Sequence, residues 1–377
     1  MYTRGSPISL NTNELVSLSP ENLSVVGSLS EDNCRVAYVS THKVVIANIG
    51  KRYRATKAKR DSIGVDVKGS YESMGEHPTV LSFLGTSTLS CKLIEVGRKP
   101  MLVTMSDSSI CLKSIDTMEP IWEVPVQDFP RTPSKFNSRA QPKAFARGCT
   151  QFQSDDKFMA FGLSNGSVAV VDLRNGDILH SLQGWCSTSA NTPVVSVASP
   201  RSGGACDPYL ASVNESNEVL VYSKSWSLRH EMALTGMLPE MSDLATCLTC
   251  IDSAVIIGFL SGAVRVCDAS TGTLIYDIAA HGRRVTSVSS HPSDEDRFCS
   301  CAEDQCLNVW SIPKSAVEAS VASRGSDSTS RVELISHHCV ENAMLTGSAW
   351  DGEGTLLTTS YDTDSIETYR VVPARKM

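Results

Sequence analysis

A serine in a glycine-rich run is the first residue whose neighbours match a catalytic motif. The run at residues 162–166, GLSNG, has the G-x-S-x-G spacing of a nucleophile elbow. That motif exposes its serine only on a strand-to-helix turn beside an oxyanion hole. Here a second strand-like run, VAVVDL, follows, and Asn-Gly is the strongest short hairpin signal. We therefore expect a turn at Ser164. Since no nucleophile, base and orienting residue occur as a set, we expect no catalysis and no small-molecule substrate.

Cysteines are the next candidates, because thiolates bind zinc. Cys247 and Cys250 form a single C-x-x-C pair. A structural zinc site takes four convergent ligands, usually from two such pairs, and no second pair lies at the right spacing. Cys299 and Cys301 alternate with other residues in a strand-like run that continues to Cys306, so they face one layer of sheet packing. We interpret all of these cysteines as buried packing residues.

The run His337-His338-Cys339 is a third set of potential ligands. Neighbouring residues of a strand point to opposite faces, so the two histidines cannot easily share an ion. We interpret the run as strand and turn residues. The sequence thus predicts neither a metal ion nor any other cofactor.

The cysteine count also bears on the compartment. Thirteen cysteines are an odd number without framework spacing, which is typical of a protein in a reducing compartment. The N-terminus lacks the apolar core of a signal peptide, and no apolar run approaches the ~18 residues of a membrane helix. We expect a cytoplasmic protein without a membrane span.

Basic residues form the strongest candidate binding segment. The net charge is −7, so the chain is not held to nucleic acid by its overall charge, and nucleic-acid binding is not expected. Residues 51–60, KRYRATKAKR, nevertheless hold six basic and no acidic residues. Clustered cations favour acidic or phosphorylated protein partners, although a solvated loop is the alternative. The candidate partner-binding residues are Lys51, Arg52, Arg54, Lys57, Lys59 and Arg60, with Arg283 and Arg284 as further contributors.

Internal repeats predict the elements that position these residues. Residues 157–182 read as strand, Asn-Gly turn, strand, Asn-Gly turn and strand, and residues 253–278 repeat the pattern. Asp172 and Asp268 close the third strand of the two copies. Seven such units fit the chain, and long helical periodicity is absent. Four-stranded units of this length are typical of propeller blades, so we predict an all-β, seven-bladed β-propeller.

The unit boundaries follow from the same pattern. A single domain over residues 1–377 carries blades at 22–50, 78–127, 141–184, 192–235, 243–280, 283–338 and 344–373. The last unit supplies only three strands, so we expect an N-terminal strand at 5–11 to complete it and close the ring. Flexible loops are expected at 51–70, 128–143 and 314–330, which are basic or rich in serine and alanine.

One unit resembles the WD-repeat β-propeller family. Its His281, Ser300, Asp304 and Trp310 are similar to the family's His–Ser–Asp–Trp hydrogen-bond chain, and residues 140–372 resemble one group of that family. The corresponding tryptophan is replaced in other units, by Val171, Tyr222, Cys267 and Tyr369. The resemblance implies a propeller that assembles partner proteins as an interaction scaffold and brings no catalytic residues.

Two other functions are open alternatives. Val171-Asp172-Leu173-Arg174 resembles the W-D-x-R end of a blade in substrate receptors of cullin-RING ubiquitin ligases, where the arginine contacts the ligase adaptor. That resemblance implies Arg174 as the contact, although valine stands in place of tryptophan. A subunit of a cilium- or vesicle-associated complex would have the same sequence features, because surface loops are only weakly constrained by the fold.

Overall fold

Every regular element in the described part of the chain is a strand. The structure, a computed structural model, describes residues 2–371 except 11, 13, 32, 42, 53–69, 74–78, 83–87, 127–145, 152–156, 183–191, 201–209, 224, 234–242, 252–253 and 313–331. Within those residues lie thirty β-strands and no α-helix. None of the described residues forms a helix that is long and apolar enough to cross a bilayer.

The strands form seven antiparallel sheets, which we call blades one to seven. Ahead of the blades lie β1 (Tyr2–Arg4) and β2 (Ile8–Ser9). Blade one contains β3 (Ser24–Val26), β4 (Cys34–Ser40), β5 (Lys43–Arg52), β6 (Ser70–Ser73) and β7 (Thr79–Ser82). Blade two contains β8 (Thr88–Val96), β9 (Lys99–Ser106), β10 (Ser109–Ser114) and β11 (Pro120–Pro125). Blade three contains β12 (Ala146–Gln151), β13 (Phe158–Leu163), β14 (Val168–Asp172) and β15 (Ile178–Leu182).

Blades four to six repeat the four-stranded order with the first strand innermost, and blade seven contributes three strands of its own. Blade four contains β16 (Val194–Ala198), β17 (Leu210–Asn214), β18 (Glu218–Tyr222) and β19 (Leu228–Ala233). Blade five contains β20 (Ala245–Ile251), β21 (Ala254–Phe259), β22 (Ala263–Asp268) and β23 (Leu274–Ala279). Blade six contains β24 (Val285–Ser290), β25 (Arg297–Ala302), β26 (Cys306–Ser311) and β27 (Glu333–Cys339). Blade seven contains β28 (Leu345–Trp350), β29 (Leu356–Ser360) and β30 (Ser365–Val371).

The blades close into a ring, which confirms the predicted seven-bladed propeller. The innermost strands of successive blades contact one another around the circle, and β28 of blade seven contacts β3 of blade one. An apolar cluster fills each of the seven interfaces between neighbouring blades. Because each sheet buries its faces against two neighbours, the stability of a blade depends on the whole ring.

The N-terminal segment completes blade seven, as predicted. Both β1 and β2 pair antiparallel with β30, with Tyr2 opposite Val371 and Ile8 opposite Ile366. Tyr2 and Ile8 are almost fully buried, and so is Leu10, which follows β2. The pairing covers Tyr2–Arg4 and Ile8–Ser9, so it begins nearer the N-terminus than the predicted strand at 5–11.

The predicted turn residues close hairpins. The Gly166 amide donates to the Leu163 carbonyl at 3.1 Å, so the GLSNG run is the β13–β14 turn. Asp172 and Asp268 end the third strands of their blades and fold the chain back. Each carboxylate accepts from the amide two residues on, at 2.9 Å for Asp172 and 2.8 Å for Asp268. Such Asx turns are the physical reason for an aspartate at this position.

Blade one differs from its predicted boundaries. Residues Thr79–Ser82 pair with β5 and so form an outer strand of blade one, although the sequence assigned residues from 78 onward to blade two. The long β5 pairs with β6 near its end and with β7 near its beginning. The predicted loop at 51–70 is also shorter, because Lys51 and Arg52 lie in β5 and Ser70 in β6.

Candidate functional site

The order of strands defines two faces of the ring. The first strand of each blade runs from one face to the other, and the antiparallel neighbours alternate. Connections between second and third strands, and from one blade to the next, therefore lie on one face, which we call the upper face. Connections between first and second strands, and between third and fourth strands, lie on the other, the lower face. Every candidate residue can be assigned to a face by this rule.

The four residues that resemble the WD-repeat motif form one hydrogen-bonded chain at the upper face of blade six. His281 Nδ1 lies 3.2 Å from Asp304 Oδ1, and its Nε2 lies 2.8 Å from Ser300 Oγ. Trp310 Nε1 donates to the same Ser300 hydroxyl at 2.9 Å. Burial opposes ionisation of Asp304, but hydrogen bonds from His281 and the Gly282 amide lower its pKa. With its members satisfied, this buried network stabilises the blade instead of acting chemically.

The basic candidates that the structure describes lie on two faces of the ring. Lys51 and Arg52 lie at the end of β5, where the chain reaches the lower face. Arg54, Lys57, Lys59 and Arg60 lie outside the described residues.

Arg283 and Arg284 lie between β23 and β24, on the upper face. Arg283 is exposed, and Arg284 Nη1 lies 3.8 Å from Glu303 Oε1. Arg283 and Arg284 therefore lie on the face opposite the one that Lys51 and Arg52 reach. That the two arginines add to the Lys51–Arg60 segment stays a prediction, since residues 53–60 lie outside the described part of the chain.

Arg174 lies on the lower face, in the turn between β14 and β15. Its guanidinium pairs with Asp172: Nε donates to Oδ1 at 3.0 Å and Nη2 donates to Oδ2. This hydrogen bonding from Arg174 lowers the pKa of Asp172 to about 2. The side chain stays 66% exposed, so the pair fixes the arginine at the surface without burying it. The Lys157 carbonyl accepts from the Leu173 amide at 2.7 Å, which brings a second exposed cation beside the turn.

A channel runs along the centre of the ring. It holds a cavity of about 300 Å³ lined by the innermost strands of all seven blades. The lining includes small polar side chains such as Ser199, Thr249 and Ser348, and it also carries the charged side chains of Glu21 and Lys92.

Glu21 occupies the upper part of the channel, and no sequence motif marked it. Its amide donates to the Thr286 carbonyl of blade six, while the amide of Asn22 donates to Thr346 of blade seven. The carboxylate accepts from the Ser196 hydroxyl of blade four at 3.2 Å, and the Leu248 amide of blade five bonds it as well. Glu21 takes a φ of 54°, which costs free energy in a residue other than glycine. The segment before β3 thus links four blades around the channel.

Glu21 should make stability depend on pH. Burial raises the pKa of Glu21 to about 6, against the opposing effects of Lys92, Leu248 and Ser196. The folded chain therefore binds this proton more tightly than the unfolded chain does. Stability falls as pH rises through about 4.5 to 6, where only the unfolded state has already lost the proton. We expect Glu21→Gln to stabilise the protein by roughly 1–2 kcal/mol at pH 7.5 and by much less at pH 4.

Chemical denaturation of wild type and variant at the two pH values measures this effect. Glu95→Gln, which removes an exposed carboxylate near the lower end of the channel, is the control and should change stability by less than about 0.5 kcal/mol. Equal effects of Glu21→Gln at both pH values would contradict the raised pKa.

Four of the five cysteines in the sequence motifs are buried, as interpreted, whereas Cys306 is partly exposed and departs from that interpretation. Cys247 packs in the interface of blades five and six, whereas Cys250 packs in that of blades four and five, so their thiols point apart. Burial raises the pKa of Cys301 to about 12 and likewise that of Cys149. Buried neutral thiols are poor nucleophiles and poor metal ligands.

One group of potential metal ligands does converge among the described residues. Cys306, His337 and Cys339 have their ligand atoms within 4.8 Å of one another. In the sequence, His337 and His338 are the neighbouring pair, and their alternation along a strand weighs against a shared ion. The sheet instead brings Cys306 opposite Cys339, a pairing that no sequence motif marks.

Comparisons with known proteins point to the same fold family. No family model matches the chain. It is 24% identical over 208 residues to WD repeat-containing protein 54 of Mus musculus, which covers 54% of this chain and 56% of that protein. It is 22% identical over 233 residues to the Homo sapiens protein of that name, covering 60% of this chain and 64% of the relative. It is also 24% identical over 185 residues to protein SUPPRESSOR OF PHYA-105 1 of Arabidopsis thaliana, covering 48% of this chain and 16% of that protein.

These similarities and the ring of seven blades confirm the resemblance to WD-repeat propellers, with WD repeat-containing protein 54 among the relatives. The chain matches less than two thirds of the length of each of these relatives. Their names state a repeat architecture or a genetic relation and no reaction. The comparisons therefore support a protein-interaction scaffold in general.

Proposed function

We propose that this protein is a non-catalytic scaffold that assembles partner proteins on the loop faces of its propeller. The observation that carries the proposal is the closed ring of seven blades with connections on two faces. Loops held by a rigid framework are where binding residues concentrate. Among the described residues, Ser164 lies in a hairpin turn and Cys247, Cys250, Cys299 and Cys301 are buried, so these motif positions favour binding over catalysis.

We assign partner binding to the lower face. Lys51 and Arg52 begin the segment of six basic residues in ten, at the lower end of β5. The exposed Arg174 and Lys157 are on the same face. In a chain of net charge −7, such cations favour acidic or phosphorylated protein partners, because they supply the complementary field and hydrogen-bond donors. Arg283 and Arg284 are not part of this surface.

Affinity purification with mass spectrometry tests the proposal, using the full chain and three variants. The first neutralises the six basic residues of 51–60 to glutamine, and the second is Arg174→Ala. The third, Arg283→Gln with Arg284→Gln, removes positive charge from the upper face and is the matched control. We expect the first variant to lose partners that the control retains. Those partners should be rich in acidic or phosphorylated segments.

The same experiment distinguishes the scaffold proposal from the alternative that the protein is a substrate receptor of a ubiquitin ligase. If Arg174→Ala loses a ligase adaptor while the neutralised 51–60 segment loses nothing, the protein is a substrate receptor of a cullin-RING ligase and the scaffold proposal is wrong in its site. If only the upper-face control loses partners, the lower-face assignment is wrong. Partners from ciliary or vesicle complexes would identify the third alternative.

We place the protein in the cytoplasm. Nine cysteines among the described residues are buried free thiols, and eight of them belong to the apolar clusters between blades. A free thiol packed as a small apolar side chain suits a reducing compartment. Fractionation of cells, with immunofluorescence of the untagged protein, tests this assignment.

A further inference from the structure

Three side chains with metal-binding atoms meet at the outer edge of blade six. Cys306 begins β26, and its strand partner in β27 is Cys339. His337 is two residues before Cys339, so both lie on the same face of β27. The two Sγ atoms are 2.9 Å apart, and His337 Nε2 is 3.3 Å from Cys339 Sγ. His337 and Cys339 are exposed and Cys306 is partly exposed, so an ion could enter directly from solvent.

A buried asparagine sets the protonation of the histidine. Asn308 donates from Nδ2 to the Ala280 carbonyl at 2.9 Å, which fixes the orientation of its amide. Its Oδ1 therefore faces His337 Nδ1, at 2.6 Å, and can only accept. The proton of a neutral His337 must then sit on Nδ1, and the lone pair of Nε2 points toward the cysteines. Outer partners of this kind orient histidine ligands in metal sites.

We propose that Cys306, His337 and Cys339 bind a zinc ion. Two thiolates and one imidazole are a donor set that zinc prefers, and water would take the fourth position of a tetrahedral site. Zinc bonds of about 2.3 Å to sulfur and 2.0 Å to nitrogen separate tetrahedral ligand atoms by roughly 3.5–3.8 Å. The sulfurs need to move apart by less than about 1 Å to meet that geometry. Binding releases the two thiol protons to solvent, so affinity rises with pH.

The competing use of the two cysteines is a disulfide. A disulfide bond is about 2.05 Å long and would consume both thiolates. Formation of this disulfide would also need an oxidant. Neither His337 nor Asn308 would take part in it. The third ligand, held in the binding tautomer by Asn308, favours the metal.

Zinc itself is the probe in the test. Tag-free full-length protein is kept reduced with a phosphine reductant, incubated with zinc and desalted. Bound metal is counted by mass spectrometry of the element, and affinity is measured by competition with a chromogenic chelator. Cobalt in place of zinc should give the intense visible absorption of a tetrahedral site with thiolate ligands. We expect one zinc per chain that depends on all three side chains.

Zinc affinities of single-residue variants test whether the ion binds to Cys306, His337 and Cys339. Cys339→Ser and His337→Ala should each weaken binding at least tenfold, and Asn308→Ala should weaken it roughly 10–100-fold as a positioning residue. His180→Ala removes an exposed histidine from the outer strand of blade three and is the matched control, with unchanged affinity. The exposed variants should keep the melting temperature of the metal-free protein.

Three results would overturn the proposal. The first is a reduced wild-type protein that retains no zinc, and the second is a Cys306→Ser, Cys339→Ser variant that retains as much zinc as the wild type. The third is loss of two titratable thiols with a mass decrease of two hydrogens in protein exposed to zinc and air, which would identify a Cys306–Cys339 disulfide instead.

Discussion

Deleting residues 1–12 should lower the melting temperature by about 5–10 °C. The deletion removes Tyr2, Ile8 and Leu10, which are 2%, 1% and 1% exposed. Each buried side chain of this size contributes roughly 1.5–3 kcal/mol. For a chain of 377 residues, the free energy of unfolding changes by roughly 0.8 kcal/mol per degree near the melting temperature. The summed contribution of the three side chains therefore corresponds to the expected decrease in melting temperature. Removing β1 and β2 also leaves one edge of β30 without its strand partners. Differential scanning fluorimetry measures the change.

The matched control for this deletion lies in the same segment of the chain. Leu15 and Leu18 are 44% and 46% exposed, so the double variant Leu15→Ala, Leu18→Ala removes apolar side chains that pack little. It should shift the melting temperature by less than about 1 °C, as ordinary surface substitutions do. A deletion variant that melts with wild type would show that the N-terminal strand does not hold the ring closed.

Gly262→Ala should cost at least about 3 kcal/mol of folding free energy. Gly262 lies in the β21–β22 turn with a φ of +95°, where side chains are strained. A Cβ at this position would lie 2.2 Å from the carbonyl oxygen of His281. The Gly262 carbonyl also accepts from the His281 amide at 3.0 Å, so a shift of the turn displaces the histidine of the blade-six hydrogen-bond chain. Chemical denaturation followed by tryptophan fluorescence measures the loss.

Gly97→Ala separates backbone strain from the clash. Gly97 has a φ of +57°, but no atom lies within 4 Å of the position that its Cβ would take. Only the strain of the left-handed conformation is added there, at about 1 kcal/mol. If Gly97→Ala and Gly262→Ala cost the same, the close contact between blades five and six is not what requires glycine at position 262.

The fold could be predicted because its signals are local. Asn-Gly and Thr-Gly turns mark hairpins, and a strand that ends in an aspartate such as Asp172 or Asp268 folds back in a way that depends only on neighbouring residues. Repetition of these signals gives the blade count. Closure of the ring by an N-terminal strand could also be predicted by counting strands, because the last blade has only three strands of its own.

The outer strands of blade one could not be predicted in the same way. Thr79–Ser82 is a short apolar run with no turn signal to say which blade it joins. Its pairing with β5 rather than with blade two depends on contacts across the sheet. Edge strands bury one side only, so their sequence constrains the register weakly.

Some positions of the candidate residues could have been predicted from the sequence, and others could not. The face on which a connection lies follows from counting the strands in each blade. That count would have placed Arg283 and Arg284 on the face opposite Lys51. The proximity of Cys306 to Cys339 could not be predicted from the sequence. It depends on the register of two strands separated by the insertion at 313–331, whose length carries no information about pairing.

The pairing of β1 and β2 with β30 also governs how the protein is made. Residues near position 2 leave the ribosome well before their partners near position 371 do. At about 5–20 residues per second, more than 360 residues of synthesis separate the two by roughly 20–70 seconds. Through that interval Tyr2, Ile8 and Leu10 have no blade to cover them. The ring therefore closes only after β30 has been synthesised, and until then the nascent chain exposes an apolar strand that chaperones can bind.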